Sequence, residues 1–237
     1  MLKVENLTKY YGDKKAIDSI NIEVKPGEIF GFIGHNGAGK TTTIKSIVGI
    51  LEFEEGNVYI DGVDIKKYPI EVKKKIAYIP DNPDIYENLT GIEYLNFIAD
   101  IFDISVSDRK EKILKYARLF EIEDNLSDII SSYSHGMKQK LVLISAFIHN
   151  PKLLVLDEPF VGLDPKAAFE LKKLMKDISE NGGSIFFSSH VLEVVEKLCD
   201  VVAIIKDGKI LTCGTVEQIK GNESLEEVFL ELINDEK

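Results

Sequence analysis

The sequence predicts an α/β fold with a strand-rich start and an inserted helical lobe, and three observations carry this. In the last third, apolar runs of strand length alternate with stretches of helical period, from "KLLVLD" (152–157) through "SIFFSS" (184–189). Near the start, "SINIEV" (19–24) alternates apolar and polar residues like a half-buried strand. Between these parts, from Leu89 to about Asn150, the apolar residues change to a three-and-four spacing.

Each element has a local reason. After "SINIEV", Pro26-Gly27-Glu28 turns the chain into "IFGFI" (29–33), a continuous apolar run suited to a strand buried on both faces. "TTTIKSIVGI" continues as an apolar helix, and Asp61-Gly62 after "NVYI" is a hairpin signal. A strand "KIAYIP" precedes the helical stretch, in which "EYLNFIADIF", "RKEKILKYARLF" and "MKQKLVLISAFIH" each predict a helix. Helices are expected over Lys166–Glu180 and Val191–Leu198. "VVAIIKDGKILTCG" is expected as a hairpin about Asp207-Gly208, and "SLEEVFLELI" as a short amphipathic helix. No internal repeat or low-complexity linker divides the chain, so residues 1–237 read as one domain with a helical subdomain at about 88–150.

Composition narrows the function. With 237 residues, 44% of them hydrophobic, the chain has length for a sizeable core, and a net charge of -11 argues against non-specific binding to nucleic acid or anionic lipid. Two cysteines, Cys199 and Cys213, lie outside any metal-binding spacing, point to a reducing cytosol, and are expected as small core residues. No run approaches the roughly 18 apolar residues of a spanning helix, so any membrane role is expected to come through a partner.

The chemistry lies in short motifs. Gly34-His35-Asn36-Gly37-Ala38-Gly39-Lys40-Thr41 matches G-x-x-x-x-G-K-[ST], with a strand before it and a helix after. Its glycines let backbone N–H groups wrap a polyphosphate, Lys40 adds a charge against the outer phosphates, and the Thr41 hydroxyl can ligate Mg²⁺. "LLVLDEP" (153–159) supplies two carboxylates at the end of an apolar strand. Asp157 is the Mg²⁺ partner, and Glu158 is the candidate to polarise a water for attack on a γ-phosphate. "SYSHGMKQK" (132–140) reads as a capped helix start, which suits a second anion.

In the order of these motifs, followed by "GLD" (162–164) and by "SSH" ending at His190, the chain resembles the nucleotide-binding subunit of ATP-binding cassette (ABC) transporters over nearly its whole length. The resemblance implies a P-loop, RecA-like core with an antiparallel β subdomain and an α-helical lobe, binding ATP and Mg²⁺. It implies two subunits stacked head to tail, with each ATP held between one P-loop and the partner's "SYSHGMKQK". Ser134 and Gly136 would then bind the γ-phosphate in trans; Tyr133, His135 and Met137 depart from the usual L-S-G-G-Q.

The resemblance also makes Tyr11 the aromatic that stacks on adenine, His190 the switch histidine at the γ-phosphate and Asp164 the loop residue at the dimer interface. Thr42 extends the P-loop contacts. The side chains of His35 and His149 are given no role of their own. Where many members carry Gln after "KIAYIP", this chain has Asp81, kept as a metal candidate because a carboxylate also ligates Mg²⁺. Asp81, "YSHGMKQK" and the tail resemble the subgroup serving type-2 exporters. The expected function is an ATPase that drives export through a separately encoded membrane permease, on the cytoplasmic side of the cell membrane and without nucleic acid. The alternative is a soluble ABC ATPase with no channel, such as an iron–sulphur assembly factor.

Overall fold

A computed structural model describes residues 1–234. The chain opens with β1 (Leu2–Tyr11), β2 (Lys14–Val24) and β3 (Ile29–Ile33), and β3 leads through the glycine loop into α1 (Lys40–Ile47). β4 (Glu55–Ile60), β5 (Val63–Asp64), a short α2 (Pro69–Lys73) and β6 (Ile76–Ile79) follow. The helical stretch contains α3 (Gly91–Ile101), α4 (Val106–Leu119) and α5 (His135–Phe147). The last third runs β7 (Leu153–Asp157), α6 (Pro165–Glu180), β8 (Ser184–Ser189), α7 (Leu192–Leu198), β9 (Val201–Lys206), β10 (Lys209–Thr215), α8 (Val216–Lys220) and α9 (Leu225–Asn234).

Two sheets result. The first is antiparallel in the order β2-β1-β4-β5, and the second has the order β10-β9-β3-β8-β7-β6. In the second, β6, β7, β8, β3 and β9 pair in parallel, and only the edge strand β10 is antiparallel. Every position of β3, β7 and β8 is buried, as their continuous apolar runs require.

One hydrophobic cluster fills the space between the two sheets and around α1, with Phe30, Phe32, Phe186 and Ile44 at its centre. The other joins the opposite face of the parallel sheet to the helical stretch through Leu141, Ile144, Phe147, Leu154 and Phe187. Both predicted Asp-Gly turns form with positive φ at both residues, 53° and 77° at Asp61-Gly62 and 48° and 77° at Asp207-Gly208, the hairpin geometry that pair favours.

One expectation is corrected. Cys199 packs half-buried against the core, but Cys213 is exposed, because it lies on the edge strand β10. Among the described residues, no helix is long and apolar enough to cross a membrane.

Candidate active site

The glycine loop leaves the buried end of β3 and enters α1. Gly37 and Gly39 have φ of 82° and 110°, conformations that side-chain-bearing residues avoid. A Cβ on Gly39 would also meet the Ala16 carbonyl oxygen at 2.9 Å. α1 has no side-chain cap, so its first N–H groups are open to an anion. Lys40 is buried; its Nζ donates to the carbonyl oxygens of Gly34 at 2.6 Å and His35 at 3.3 Å. Burial pulls its pKa below that of an ordinary lysine, while the charges of Glu158, 4.0 Å away, and Asp157 act in the opposite direction.

β7 and β8 deliver the carboxylates side by side. Asp157 is buried, and its Oδ1 accepts a hydrogen bond from Ser188 Oγ at 2.5 Å. Its Oδ2 is buried without a partner among the described residues. Immediately afterwards the backbone of Glu158 enters the left-handed region at φ 50°, and its N–H donates to both the carbonyl oxygen and the Oγ of Ser188 at 3.2 Å. This strained step takes Glu158 out of strand geometry. Its Oε2 lies 2.8 Å from His190 Nδ1 and accepts the His190 N–H at 3.2 Å.

These groups surround one cavity of about 590 Å³. Of the residues singled out from sequence, Tyr11, His35, Asn36, Gly37, Gly39, Lys40, Thr41, Thr42, Asp81, Asp157 and Glu158 all line it. Gly34 and Ala38 are buried beneath the loop, and His190 is tied in through Glu158. Sequence reasoning missed Lys14, Lys15 and Ala16, and the Asp207-Gly208 turn, which also line the cavity. The turn props the loop: Gly208 N–H donates to Ala38 O at 2.9 Å, and Asp18 N–H to Gly208 O at 2.9 Å. Its Asp-Gly signal announces only a hairpin.

The cavity suits a polyphosphate with a hard cation. Among the described residues no cluster of three or more His, Cys, Asp or Glu could hold a metal alone. Thr41, Asp81 and Asp157, all in the lining, offer a few oxygen donors, as suits a Mg²⁺ shared between protein, water and phosphate oxygens. The unpartnered Asp157 Oδ2 fits such a role.

Ser134, Gly136 and Asp164 are not part of this cavity's lining. Ser134 caps α5, its Oγ accepting from the Met137 N–H at 3.3 Å, and is itself exposed. Gly136 has a reason beyond flexibility, because a Cβ there would meet Gly162 O at 2.8 Å. The imidazole of His135 lies against Gly162 as well, so "SYSHGMKQK" and "GLD" are pressed together.

Asp164 caps α6 through the Ala167 N–H at 2.9 Å and pairs with Lys140 of α5 at 2.6 Å. Lys140 first, and then that N–H, hold its carboxyl below the usual range. Asp164→Ala is expected to destabilise the chain by about 1 kcal/mol. A depressed carboxyl pKa adds stability above its ordinary value and loses it as pH falls, so variant and wild type should converge in acid. Thermal melts at neutral and acid pH check this.

Comparisons with known proteins give the family. A bacitracin transport ATP-binding protein, BcrA, of Bacillus licheniformis is 39% identical over 212 residues, covering 89% of this chain and 68% of its own. An uncharacterized ABC transporter ATP-binding protein of Methanocaldococcus jannaschii is 38% identical over 218 residues, covering 92% and 79%. A solved ATP binding subunit of an ABC transporter superposes with a TM-score of 0.95 at 34% identity, covering 99% of this chain and all of the other. The family described as ABC transporter matches residues 17–161. With the glycine loop, the paired carboxylates and the fold in agreement, the chain belongs to the ABC transporter family, among its ATP-binding subunits.

Proposed function

We propose that this chain binds ATP with Mg²⁺ in the cavity above, hydrolyses it as a head-to-tail dimer, and drives a separate membrane permease outward. The observation that carries this is the convergence of Tyr11, Lys40, Thr41, Asp81, Asp157 and Glu158 on one cavity, from stretches far apart in sequence. The N–H groups of the glycine loop and Lys40 hold the phosphates. Thr41, Asp157 and Asp81 would hold Mg²⁺, which when bound would supply charge neutralisation to the phosphates. Tyr11, half exposed at the rim, stacks on the adenine.

Glu158 takes a proton from the attacking water, and the bond from the γ-phosphorus to the bridging oxygen breaks, giving ADP and phosphate. His190, held against Glu158 at 2.8 Å, contacts the γ-phosphate and orients that carboxylate. Binding closes the dimer and product loss reopens it. The transport and resistance proteins among the relatives support export over a channel-free ATPase. A groove of about 480 Å³ beside Asp81, lined by Ile85, Ile98 and Phe102 among others, is the surface we assign to the permease. The chain then works as one ATPase domain at the cytoplasmic side of the cell membrane.

Ser134 tests the dimer. It is exposed and outside the lining of its own chain's cavity, which leaves it available for the partner's phosphate, the role that the head-to-tail reading gives it. Ser134→Ala should leave ATP binding by the monomer near normal and weaken ATP-driven dimerisation and hydrolysis. Calorimetry on the monomer together with sedimentation at rising ATP measures both. Loss of binding by a folded monomer would put Ser134 in cis and overturn the head-to-tail reading.

A further inference from the structure

Tyr78 lies on β6 opposite Val155 of β7. Side chains alternate along strands, so Tyr78, Val155 and, two residues on, Asp157 share one face of the sheet. It is the face that packs against α1, where Val155, Phe186 and Ile44 form the core and Tyr78 lies against them. β6 and β7 are parallel neighbours, so Asp157 lies diagonally across from Tyr78 on that face. Tyr78 also lines the groove beside the site, together with Lys45, Pro80 and Asn82, whereas Asp81 and Asp157 line the nucleotide cavity. It therefore stands in the wall between the two.

Two atoms in this wall are unsatisfied. Among the described residues, the Tyr78 hydroxyl is buried with no hydrogen-bond partner, and so is Asp157 Oδ2. One is an O–H donor and the other a carboxylate acceptor, so they are chemically complementary. A tyrosine hydroxyl carries its proton at neutral pH and is a donor there. Asp157 is already held on its other oxygen by Ser188.

We propose that Tyr78 is a positioning residue for the metal-binding carboxylate: with nucleotide bound, its hydroxyl donates to Asp157 Oδ2 and, with Ser188, fixes that carboxylate toward Mg²⁺. Each carboxylate oxygen has two lone pairs, so Oδ2 accepts from Tyr78 and still faces the metal or its water. The assignment rests on the cavity being the ATP and Mg²⁺ site.

Tyr78→Phe in the full chain removes one hydroxyl that has no partner, so folding is unharmed and the thermal midpoint is unchanged or higher. ADP binding by calorimetry in EDTA should match wild type. The Mg²⁺ concentration that half-saturates the gain in ADP affinity should rise roughly 10-fold, the worth of one hydrogen bond to a charged group. ATPase activity should show the same shift in Mg²⁺ dependence, with kcat recovered at saturating Mg²⁺. If wild type gains affinity with Mg²⁺ and Tyr78→Phe follows the same titration, the proposal falls and the site reading stands. If wild type binds ADP but gains nothing from Mg²⁺, the metal reading falls and takes the proposal with it.

Discussion

Replacing Glu158 by Gln is expected to reduce ATP turnover by roughly 10²–10⁴, the usual contribution of a general base, while ATP stays bound. The amide has nearly the shape of the carboxylate, so its place beside His190, 2.8 Å from Nδ1, and the backbone bonds to Ser188 are kept. What it lacks is the ability to take a proton from water. Binding gains rather than suffers, because a negative charge 4.0 Å from Lys40 is removed from the neighbourhood of the phosphates. A bound, unhydrolysed ATP holds the closed form, so this variant should run as a dimer on a sizing column with ATP and Mg²⁺. Only monomer, with normal turnover, would remove Glu158 as the base and the nucleotide-sandwiched dimer together.

The fold was legible wherever a segment's own chemistry decides its state. β3, β7 and β8 are apolar throughout because both faces are covered, and they read directly as buried strands. The Asp-Gly turns were legible for the same local reason. β1 does not announce itself as a strand. It is interrupted by register shifts between Val4 and Leu7, Leu7 and Lys9, and Lys9 and Tyr10, and Asn6 sits at φ 49°. These irregularities destroy the two-residue alternation by which a half-buried strand is recognised. The short helices α2 and α8, five residues each, never complete the two turns that make a period visible. α6 begins at Pro165, one residue before the expected start, because Asp164 caps it and proline suits a first helical position.

The site divides in the same way. The glycine loop and the carboxylate pair are contiguous, and each residue type there is dictated by what its own backbone or side chain does, so the sequence displays them. Lys14, Lys15 and the Asp207-Gly208 turn reach the cavity only because strands distant in sequence bring them there, and nothing local marks them. The left-handed backbone of Glu158 is equally silent in sequence, since glutamate has no preference for that conformation; the pair of bonds from its N–H to Ser188 imposes it. In the sequence Gly136 stands out for its N–H, whereas its missing Cβ is also what lets Gly162 approach. That contact presses the "SYSHGMKQK" stretch against the loop that leaves Glu158.

Lys40→Ala is expected to weaken ATP binding by roughly 10–100-fold, the loss of charge-assisted bonds to phosphate, and to remove turnover with it. The lysine is buried under its own loop, where desolvation already opposes its charge. Deleting it therefore relieves a folding cost while leaving the Gly34 and His35 carbonyl oxygens without the donor they share. These effects oppose each other, so the melting temperature should move little while affinity collapses. Arginine should not rescue the site. Its planar fork needs more room than a buried ammonium and approaches phosphate in a different geometry. Lys40→Met keeps the stem without the charge and separates packing from electrostatics: it should match alanine in affinity and wild type in stability. Calorimetry with ATP on both variants, beside their melts, decides the matter. Near-normal binding by either folded variant would mean that Lys40 is a structural clamp on the loop rather than a phosphate ligand.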